Sequence, residues 1–156
     1  MASANSADRD PAAYNLILER IFDAPRELVF SAWIDPEHLV RWLGPRGFTG
    51  SVIKMDARPG GTYRFHMRSA DGTEYWQQGV FRQIVPPERF VRTCSWADAD
   101  GNPTGPETLM TVTFEEYGAQ TKLIFQQVFD SAAACEAHRG GTATALDRLA
   151  EYLETK

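Results

Sequence analysis

The sequence has few cysteines, no excess of basic residues and no long apolar run, and each shortage excludes a class of protein. The two cysteines, Cys94 and Cys135, lie far apart without CxxC spacing, which argues against a disulfide framework and a structural metal site. No apolar stretch approaches the roughly 18 residues that a membrane span needs. The net charge of −5 comes without the basic stripe that phosphate-backbone binding requires. We therefore expect no metal, no membrane span and no nucleic-acid partner.

Motifs that support catalysis or cofactor binding are also missing. The chain contains no GxSxG and no HExxH, and its Gly60-Gly61 pair precedes a β-rich run instead of opening a helix that could bind phosphate. The sequence thus predicts no catalytic residue and no cofactor. Whether the chain is an enzyme stays open at this point.

The composition fits one globular domain preceded by a short polar segment. Of the 156 residues, 43% are apolar and 24% are charged, which is ordinary for a single domain. Residues 1–13 are small and polar, without the basic start and apolar run of a signal peptide. We interpret them as a disordered tail ahead of a domain over residues 14–156, and we expect a cytoplasmic location.

The domain begins with signals for a strand and two short helices. Apolar residues alternate over residues 14–22, as in a strand that is covered on one face. Asp23 offers an N-cap and predicts a helix from Pro25 to Trp33, because proline is tolerated at an early helical position. Asp35-Pro36 repeats this signal and predicts a second short helix that ends near Gly44-Pro45.

The rest of the chain predicts an antiparallel sheet followed by a long helix. β-rich runs fill residues 48–129, and turns such as Asp71-Gly72 and Asp100-Gly101 separate them. These connections are too short for parallel crossovers, so about six further strands should form a meander. The last segment carries an amphipathic helical stripe made of Leu146, Leu149, Ala150 and Leu153.

Together these elements predict an α+β fold of the helix-grip kind. It consists of a curved antiparallel sheet of about seven strands, two short helices and a long C-terminal helix against the concave face. One helix cannot fill the hollow of such a sheet, so we expect an internal cavity of some hundreds of Å3. The expected partner is a small hydrophobic or amphipathic molecule.

Several motifs spread over residues 14–154 resemble one protein family. They are Ala32-Trp33-Ile34-Asp35-Pro36, Trp42-Leu43-Gly44-Pro45, Asp56-Ala57-Arg58-Pro59-Gly60-Gly61, Asp71-Gly72, Gly79 and Ile84-Val85-Pro86-Pro87-Glu88-Arg89-Phe90. In order and spacing they resemble the START-like superfamily (SRPBCC, Bet v 1-like), and within it the branch named for the activator of the heat-shock-protein-90 ATPase. The resemblance implies a helix-grip fold with a hydrophobic cavity, but members differ in activity.

The chain departs from the pattern of that family in the C-terminal helix. Where the family has a histidine and then a Gly-Trp pair, this sequence reads His138-Arg139-Gly140-Gly141. Two adjacent glycines cost about 1–2 kcal/mol in a helix, so we expect a bend or a break there. The missing indole should also leave volume at the edge of the cavity, near Trp42.

Strand parity and the resemblance select the residues that should face the cavity. The predicted ligand-binding residues are Trp42, Tyr63, Phe65, Met67, Gln77, Phe81, Arg92, Cys94, Trp96, Gln127, His138, Gly141 and Thr142. Trp42 is expected at the mouth. His66 falls between two arginines on the opposite face and is expected at the surface. Placing Tyr75, Gln77, Gly79 and Phe81 inward requires a β-bulge between Phe81 and Ile84.

Three of these residues allow two interpretations each. Arg92 either is a charge within the cavity, which needs a carboxylate partner or an anionic ligand, or lies near the rim and reaches water. Gln127 either satisfies backbone groups or offers a hydrogen bond to the cavity. His138 either is bonded locally in its helix or acts on a ligand.

Three functions follow from these patterns. The first is a binding module for a small apolar or amphipathic molecule. The second is an enzyme of the cyclase or hydrolase sort, in which His138, Arg92 or Gln127 polarises a carbonyl in the cavity. The third is a chaperone-associated protein, which the resemblance to the activator branch implies.

Overall fold

Seven strands and three helices form the part of the chain that the computed structural model describes, residues 14–156. The strands are β1 (Asn15–Phe22), β2 (Thr49–Met55), β3 (Thr62–Arg68), β4 (Glu74–Val85), β5 (Arg89–Ala97), β6 (Thr108–Tyr117) and β7 (Gln120–Val128). The helices are α1 (Arg26–Ile34), α2 (Pro36–Leu39) and α3 (Ala132–Leu153). The predicted α+β helix-grip fold is confirmed. The predicted disordered tail, residues 1–13, lies outside the described residues.

All seven strands belong to one antiparallel sheet with the order β1-β7-β6-β5-β4-β3-β2. Strands β2 to β7 form the predicted meander, and β1 pairs with the last strand. The register shifts between Phe81 and Gln83 on β4, where the sequence predicted a bulge. A bulge bends its strand and increases the local twist, which helps the sheet to curve around α3.

Helices α1 and α2 connect the two edge strands of the sheet, β1 and β2. Asp35 caps α2 as predicted, because its side chain accepts a hydrogen bond from the backbone N–H of Glu37 at 3.0 Å. The cap predicted for α1 is wrong. The helix begins after Pro25 without a side-chain cap, and Asp23 precedes that position. Burial of one face of α1, and not a cap, therefore holds this helix in place.

Helix α3 is continuous over 22 residues, so the expected bend or break at Gly140-Gly141 did not occur. Ser131 caps its first turn by accepting a hydrogen bond from the N–H of Ala134. Tertiary packing outweighs the low helix propensity of two glycines. The buried residues Leu146, Leu149 and Leu153 of the predicted stripe provide much of that packing.

Charged side chains fix α3 on both of its flanks. On one side Arg20 of β1 forms an ion pair with Asp147 at 2.6 Å. On the other side Arg148 donates from Nη1 to the backbone carbonyls of Leu43, Gly44 and Pro45 at 2.9, 3.0 and 3.2 Å. The loop after α2 is thus held against α3, and this contact shapes one wall of the space below the helix.

The described residues contain two further features that bear on the sequence predictions. Cys94 and Cys135 are both buried free thiols. No helix within residues 14–156 is long and apolar enough to cross a membrane.

Candidate functional site

A cavity of about 680 Å3 lies between the concave face of the sheet, helix α3 and the helix pair. Apolar and aromatic side chains make up most of its wall. Those contributed by the helix pair and the loop after it are Trp33, Leu39, Trp42, Leu43, Pro45 and Phe48. Those contributed by the sheet and α3 include Met67, Tyr75, Trp96, Met110, Phe125, Ala145 and Leu146. A space of this size and composition can enclose a small apolar molecule.

The cavity reaches the surface at one side and ends inside the protein at the other. Glu74, Tyr75 and Thr104 are exposed members of the wall and mark the opening. Arg92 is only 3% exposed and marks the inner end, on β5, the central strand of the sheet. Glu74 and Phe81 are seven positions apart on β4, and Phe81 pairs with Arg92, so the opening and Arg92 are roughly 20 Å apart along the strand.

Arg92 is a buried cation without an anionic partner among residues 14–156. No carboxylate of residues 14–156 forms an ion pair with it, and its Nε and Nη1 are shielded from solvent without a hydrogen-bond partner. The guanidinium carbon lies 4.7 Å from the centre of the Tyr63 ring and 5.4 Å from those of Phe65 and Phe90. Cation–π contacts of this kind offset part of the cost of desolvation. The rim position considered for Arg92 is therefore wrong, and the charge lies within the cavity.

Tyr63 supports this cluster from behind the wall. Its hydroxyl donates to the backbone carbonyl of Thr93 at 2.6 Å and contacts the Cys94 Sγ at 3.1 Å. Burial raises the pKa of the Tyr63 phenol well above its ordinary value; the Cys94 thiol adds to this shift and the Arg92 charge opposes it. Tyr63 therefore stays neutral and supplies a ring face, not an anion, to Arg92.

His138 is held by the protein at both ring nitrogens. Nδ1 lies 2.8 Å from the carbonyl oxygen of Ala134 one turn earlier in α3, and Nε2 accepts the indole N–H of Trp96 at 3.1 Å. These partners fit a neutral imidazole that is protonated at Nδ1. The ring also lies against Phe129, with 4.6 Å between the ring centroids. The local interpretation of His138 is the one that this geometry supports.

Gln127 lies in the same cross-strand row as Arg92. Arg92 pairs with Met110, and Met110 pairs with Gln127, so the two polar residues are two strands apart, roughly 10 Å. The amide nitrogen of Gln127 donates to the Thr108 hydroxyl at 2.9 Å. The amide nitrogen thus bonds a side chain, whereas one of the two interpretations expected backbone groups. The carbonyl oxygen of Gln127 makes no hydrogen bond within residues 14–156.

The structure places most of the predicted site residues in the cavity wall and the rest beside it. Those in the wall are Trp42, Met67, Gln77, Arg92, Trp96, Gln127, His138, Gly141 and Thr142. Tyr63, Phe65 and Phe81 are almost fully buried and pack around Arg92 instead of lining the space. Cys94 borders a separate space of about 70 Å3. His66 is on the outer face, where its Nε2 lies 2.9 Å from Glu74 Oε1.

One expectation about the cavity edge is wrong, and the extra volume expected beside Gly141 stays a prediction. Trp42 is not at the mouth: it is 3% exposed, and its indole N–H donates to the carbonyl of Ala32 at 3.0 Å. Gly141 borders the cavity, but it also lies against the loop after α2. A Cβ added at this glycine would be 3.3 Å from Cγ of Pro45. A tryptophan there would have to displace Pro45 before it could fill any gap.

Several wall residues from the helix pair and the loops were not among the residues predicted for the site. Trp33 and Leu39 were assigned to helices but not to the site, and Phe48 and Gly105 were not considered. Trp33 is notable because its indole N–H is buried without a hydrogen-bond partner among the described residues, and its ring lies 5.6 Å from that of Phe90. A tryptophan on the buried face of a predicted helix was the signal that could have identified it.

The cavity combines a mostly apolar wall with a few polar side chains, of which Arg92 is the buried charge. Within residues 14–156, no group of three or more His, Cys, Asp or Glu side chains could hold a metal ion. Among the four buried, unpartnered side-chain atoms of this part of the chain, all are N–H donors, and three belong to the cavity residues Trp33 and Arg92. The wall of the cavity therefore carries the positive charge of Arg92, which has no ion-pair partner within residues 14–156.

Comparisons with solved structures show the same fold in several bacterial proteins. A crystal structure from Mycobacterium smegmatis has a TM-score of 0.82 and 25% identity, covering 92% of this chain and 93% of that one. A solution structure from Arthrobacter aurescens has a TM-score of 0.86 and 25% identity, covering 94% and 90%. A crystal structure of the AHSA1 protein from Silicibacter pomeroyi has a TM-score of 0.81 and 26% identity, covering 90% and 98%.

A search of curated proteins found no match to this chain. The family model described as Activator of Hsp90 ATPase homolog 1-like protein matches residues 23–154, which is most of the described domain and includes the helix pair, the meander and α3. This agrees with the resemblance carried by the sequence motifs. The chain belongs to the Activator of Hsp90 ATPase homolog 1-like protein family.

Proposed function

We propose that this protein is a binding module that takes a small apolar or amphipathic molecule into the cavity between its sheet and α3. The observation that supports the proposal is the cavity itself, about 680 Å3 with a wall made mostly of aromatic and aliphatic side chains. Such a space gains free energy when an apolar molecule replaces water in it, by about 25 cal/mol for each Å2 of apolar surface that is covered.

The wall is built to hold its shape without a ligand. Trp33 and Trp42 pack edge to face with 4.7 Å between their ring centroids, and the Trp42 indole is bonded to the backbone of α1. Arg148 anchors the loop that follows α2. A preformed site loses less conformational freedom on binding, so a larger part of the interaction energy remains as affinity.

The experiment is a titration with N-phenyl-1-naphthylamine, an apolar probe that fluoresces when it leaves water. The wild-type protein should bind the probe at one site. Ala145→Trp places an indole from the cavity-facing side of α3 into the space and should weaken probe binding at least about tenfold. Ala133→Trp, on the exposed side of the same helix, is the matched control and should bind like the wild type. Equal binding by both variants would place the probe outside the cavity.

The two other functions inferred from the sequence remain predictions with less support. An enzyme that uses His138 would first have to release one of the two hydrogen bonds that occupy its ring nitrogens. A chaperone partner is implied only by the name of the family. The cytoplasmic location and the lack of nucleic-acid binding also remain predictions.

A further inference from the structure

We propose that the ligand is an amphipathic carboxylic acid that enters head first, so that its carboxylate meets the guanidinium of Arg92 at the inner end of the cavity. This inference rests on the proposed function, and it specifies the chemical class of the ligand and its orientation.

Arg92 is the charged group that a ligand in the cavity would meet. An arginine in a protein stays protonated, so a positive charge is present in the cavity at any physiological pH. A charge that is 3% exposed normally has a carboxylate partner, yet no carboxylate of residues 14–156 lies within ion-pair distance. Three aromatic rings face the guanidinium, and rings attract a cation without accepting strong hydrogen bonds from it. The charge of Arg92 therefore has no counter-ion within residues 14–156, and an anion in the cavity could supply one.

The groups near Arg92 indicate which chemical group of a ligand would suit the site. The Trp33 indole N–H is a further buried donor without a partner in the described part of the chain, and Trp33 and Arg92 both lie against the Phe90 ring. A cation without a counter-ion in the protein is completed by an anion. A carboxylate suits it because its two oxygens match the fork of a guanidinium and carry the charge that neutralises it.

The charges of Arg92 and Glu74 favour one orientation of the ligand in the cavity. The exposed carboxylate of Glu74 is at the opening, and the unpaired cation is at the closed end, roughly 20 Å further along the sheet. A head group left at the opening would face a like charge, although the contact of Glu74 with His66 reduces this effect. With the head at Arg92, the apolar chain would run past Trp96 and Tyr75, wall residues that lie between the Arg92 row and the opening.

The test compares decanoate with 1-decanol at pH 8 by isothermal titration calorimetry, using the full chain after refolding from urea to remove any bound lipid. The two probes have the same chain length and differ in head-group charge. Because a charge-assisted hydrogen bond contributes more than a neutral one, decanoate should bind the wild type about tenfold or more tightly than 1-decanol.

Two variants test whether Arg92 is responsible for the preference for decanoate over 1-decanol. Arg92→Met should weaken decanoate binding about tenfold or more while changing 1-decanol binding less than about threefold. Arg82→Met removes the same charge from an exposed position on β4 and should keep the wild-type preference. If Arg92→Met does not fold, Arg92→Lys keeps the charge but loses the fork, and it should bind decanoate with an affinity below that of the wild type.

A second readout reports orientation directly. The 13C signal of carboxyl-labelled decanoate, followed as pH is lowered, should show that the bound acid stays ionised to a lower pH than the free acid, because a cation lies beside it.

The outcomes separate the inference from the proposed function. Equal affinity for decanoate and 1-decanol, or an Arg92→Met variant that weakens both equally, would overturn the carboxylate inference and leave the binding module intact. If neither compound nor the apolar probe binds, the proposed function itself fails. A bound carboxyl that protonates at a higher pH than the free acid would reject the head-first orientation.

Discussion

The indole N–H of Trp96 donates to Nε2 of His138 at 3.1 Å, which joins β5 to helix α3 across the cavity wall. The two rings are nearly parallel, with 6.0 Å between their centroids. Because Nδ1 of the same imidazole is bonded to the carbonyl of Ala134, the histidine connects a strand to the first turns of the helix. This connection keeps the N-terminal part of α3 in place above the sheet, in a region where Gly140-Gly141 contributes little helix propensity.

Trp96→Phe should therefore destabilise the protein. Phenylalanine keeps an aromatic ring but removes the donor, so His138 loses the partner of Nε2 and the cavity becomes slightly larger. We expect the free energy of unfolding to fall by about 1–2 kcal/mol, as measured by urea denaturation. Trp76→Phe is the matched control, because its indole lies against His66 on the outer face and makes no hydrogen bond within residues 14–156. If both variants lose the same free energy, the hydrogen bond to His138 does not stabilise the fold.

The two glycines of α3 should respond differently to substitution by alanine. Gly140 is exposed and has no neighbour within 4 Å of an added Cβ, so Gly140→Ala should raise the free energy of unfolding by about 1 kcal/mol through helix propensity alone. At Gly141 the added Cβ meets Pro45 Cγ at 3.3 Å, and the loop must shift to accept it. Gly141→Ala should gain less than Gly140→Ala, or lose stability, in the same denaturation experiment. A larger gain at Gly141 would mean that the loop after α2 moves freely.

Tyr63 should make the protein sensitive to alkali. Burial raises its pKa in the folded state, whereas an unfolded tyrosine ionises at about pH 10. Between these two values the folded state binds more protons than the unfolded state, so the stabilising contribution is complete below pH 10 and is lost as pH rises above it. The wild type should lose up to about 1.4 kcal/mol for each pH unit between 10 and 11 on account of Tyr63.

Tyr63→Phe should lack this part of the pH dependence, although it is less stable at neutral pH because its hydrogen bond to Thr93 is gone. Tyr117→Phe, at a residue that is 53% exposed, should keep the wild-type slope. Denaturation curves recorded from pH 9 to pH 11 measure all three slopes. Identical slopes for the wild type and Tyr63→Phe would contradict a raised pKa.

The sequence predicted the fold because local signals and long-range packing agree along most of this chain. The Asp35-Pro36 cap, the turns of the meander and the leucine stripe of α3 each identify an element without knowledge of its neighbours. The continuity of α3 across Gly140-Gly141 could not be predicted in this way, because packing of its leucines outside the glycine pair compensates for weak local propensity.

Strand parity predicted which face a residue occupies but not how deep it lies. Phe90, Arg92 and Cys94 are on the inner face as the alternation indicated, yet the same alternation is compatible with a rim position for Arg92. That position is excluded by the strand order, in which β5 is central. In the same way parity placed Tyr63 and Phe65 inward, but the curvature of the sheet leaves them behind the wall, where they pack on the Arg92 guanidinium.

Arg92→Met should leave the ligand-free protein as stable as the wild type or more stable by about 1 kcal/mol. The change removes a cation that has no anionic partner within residues 14–156, and the three surrounding rings offset only part of the cost of burying it. Denaturation of protein refolded from urea measures this difference. Arg82→Met, at an exposed site, should stay within about 0.5 kcal/mol of the wild type. Added decanoate should then reverse the order, because a ligand stabilises only the variant that binds it. A loss of more than about 2 kcal/mol in ligand-free Arg92→Met would mean that the ring contacts make Arg92 a structural residue.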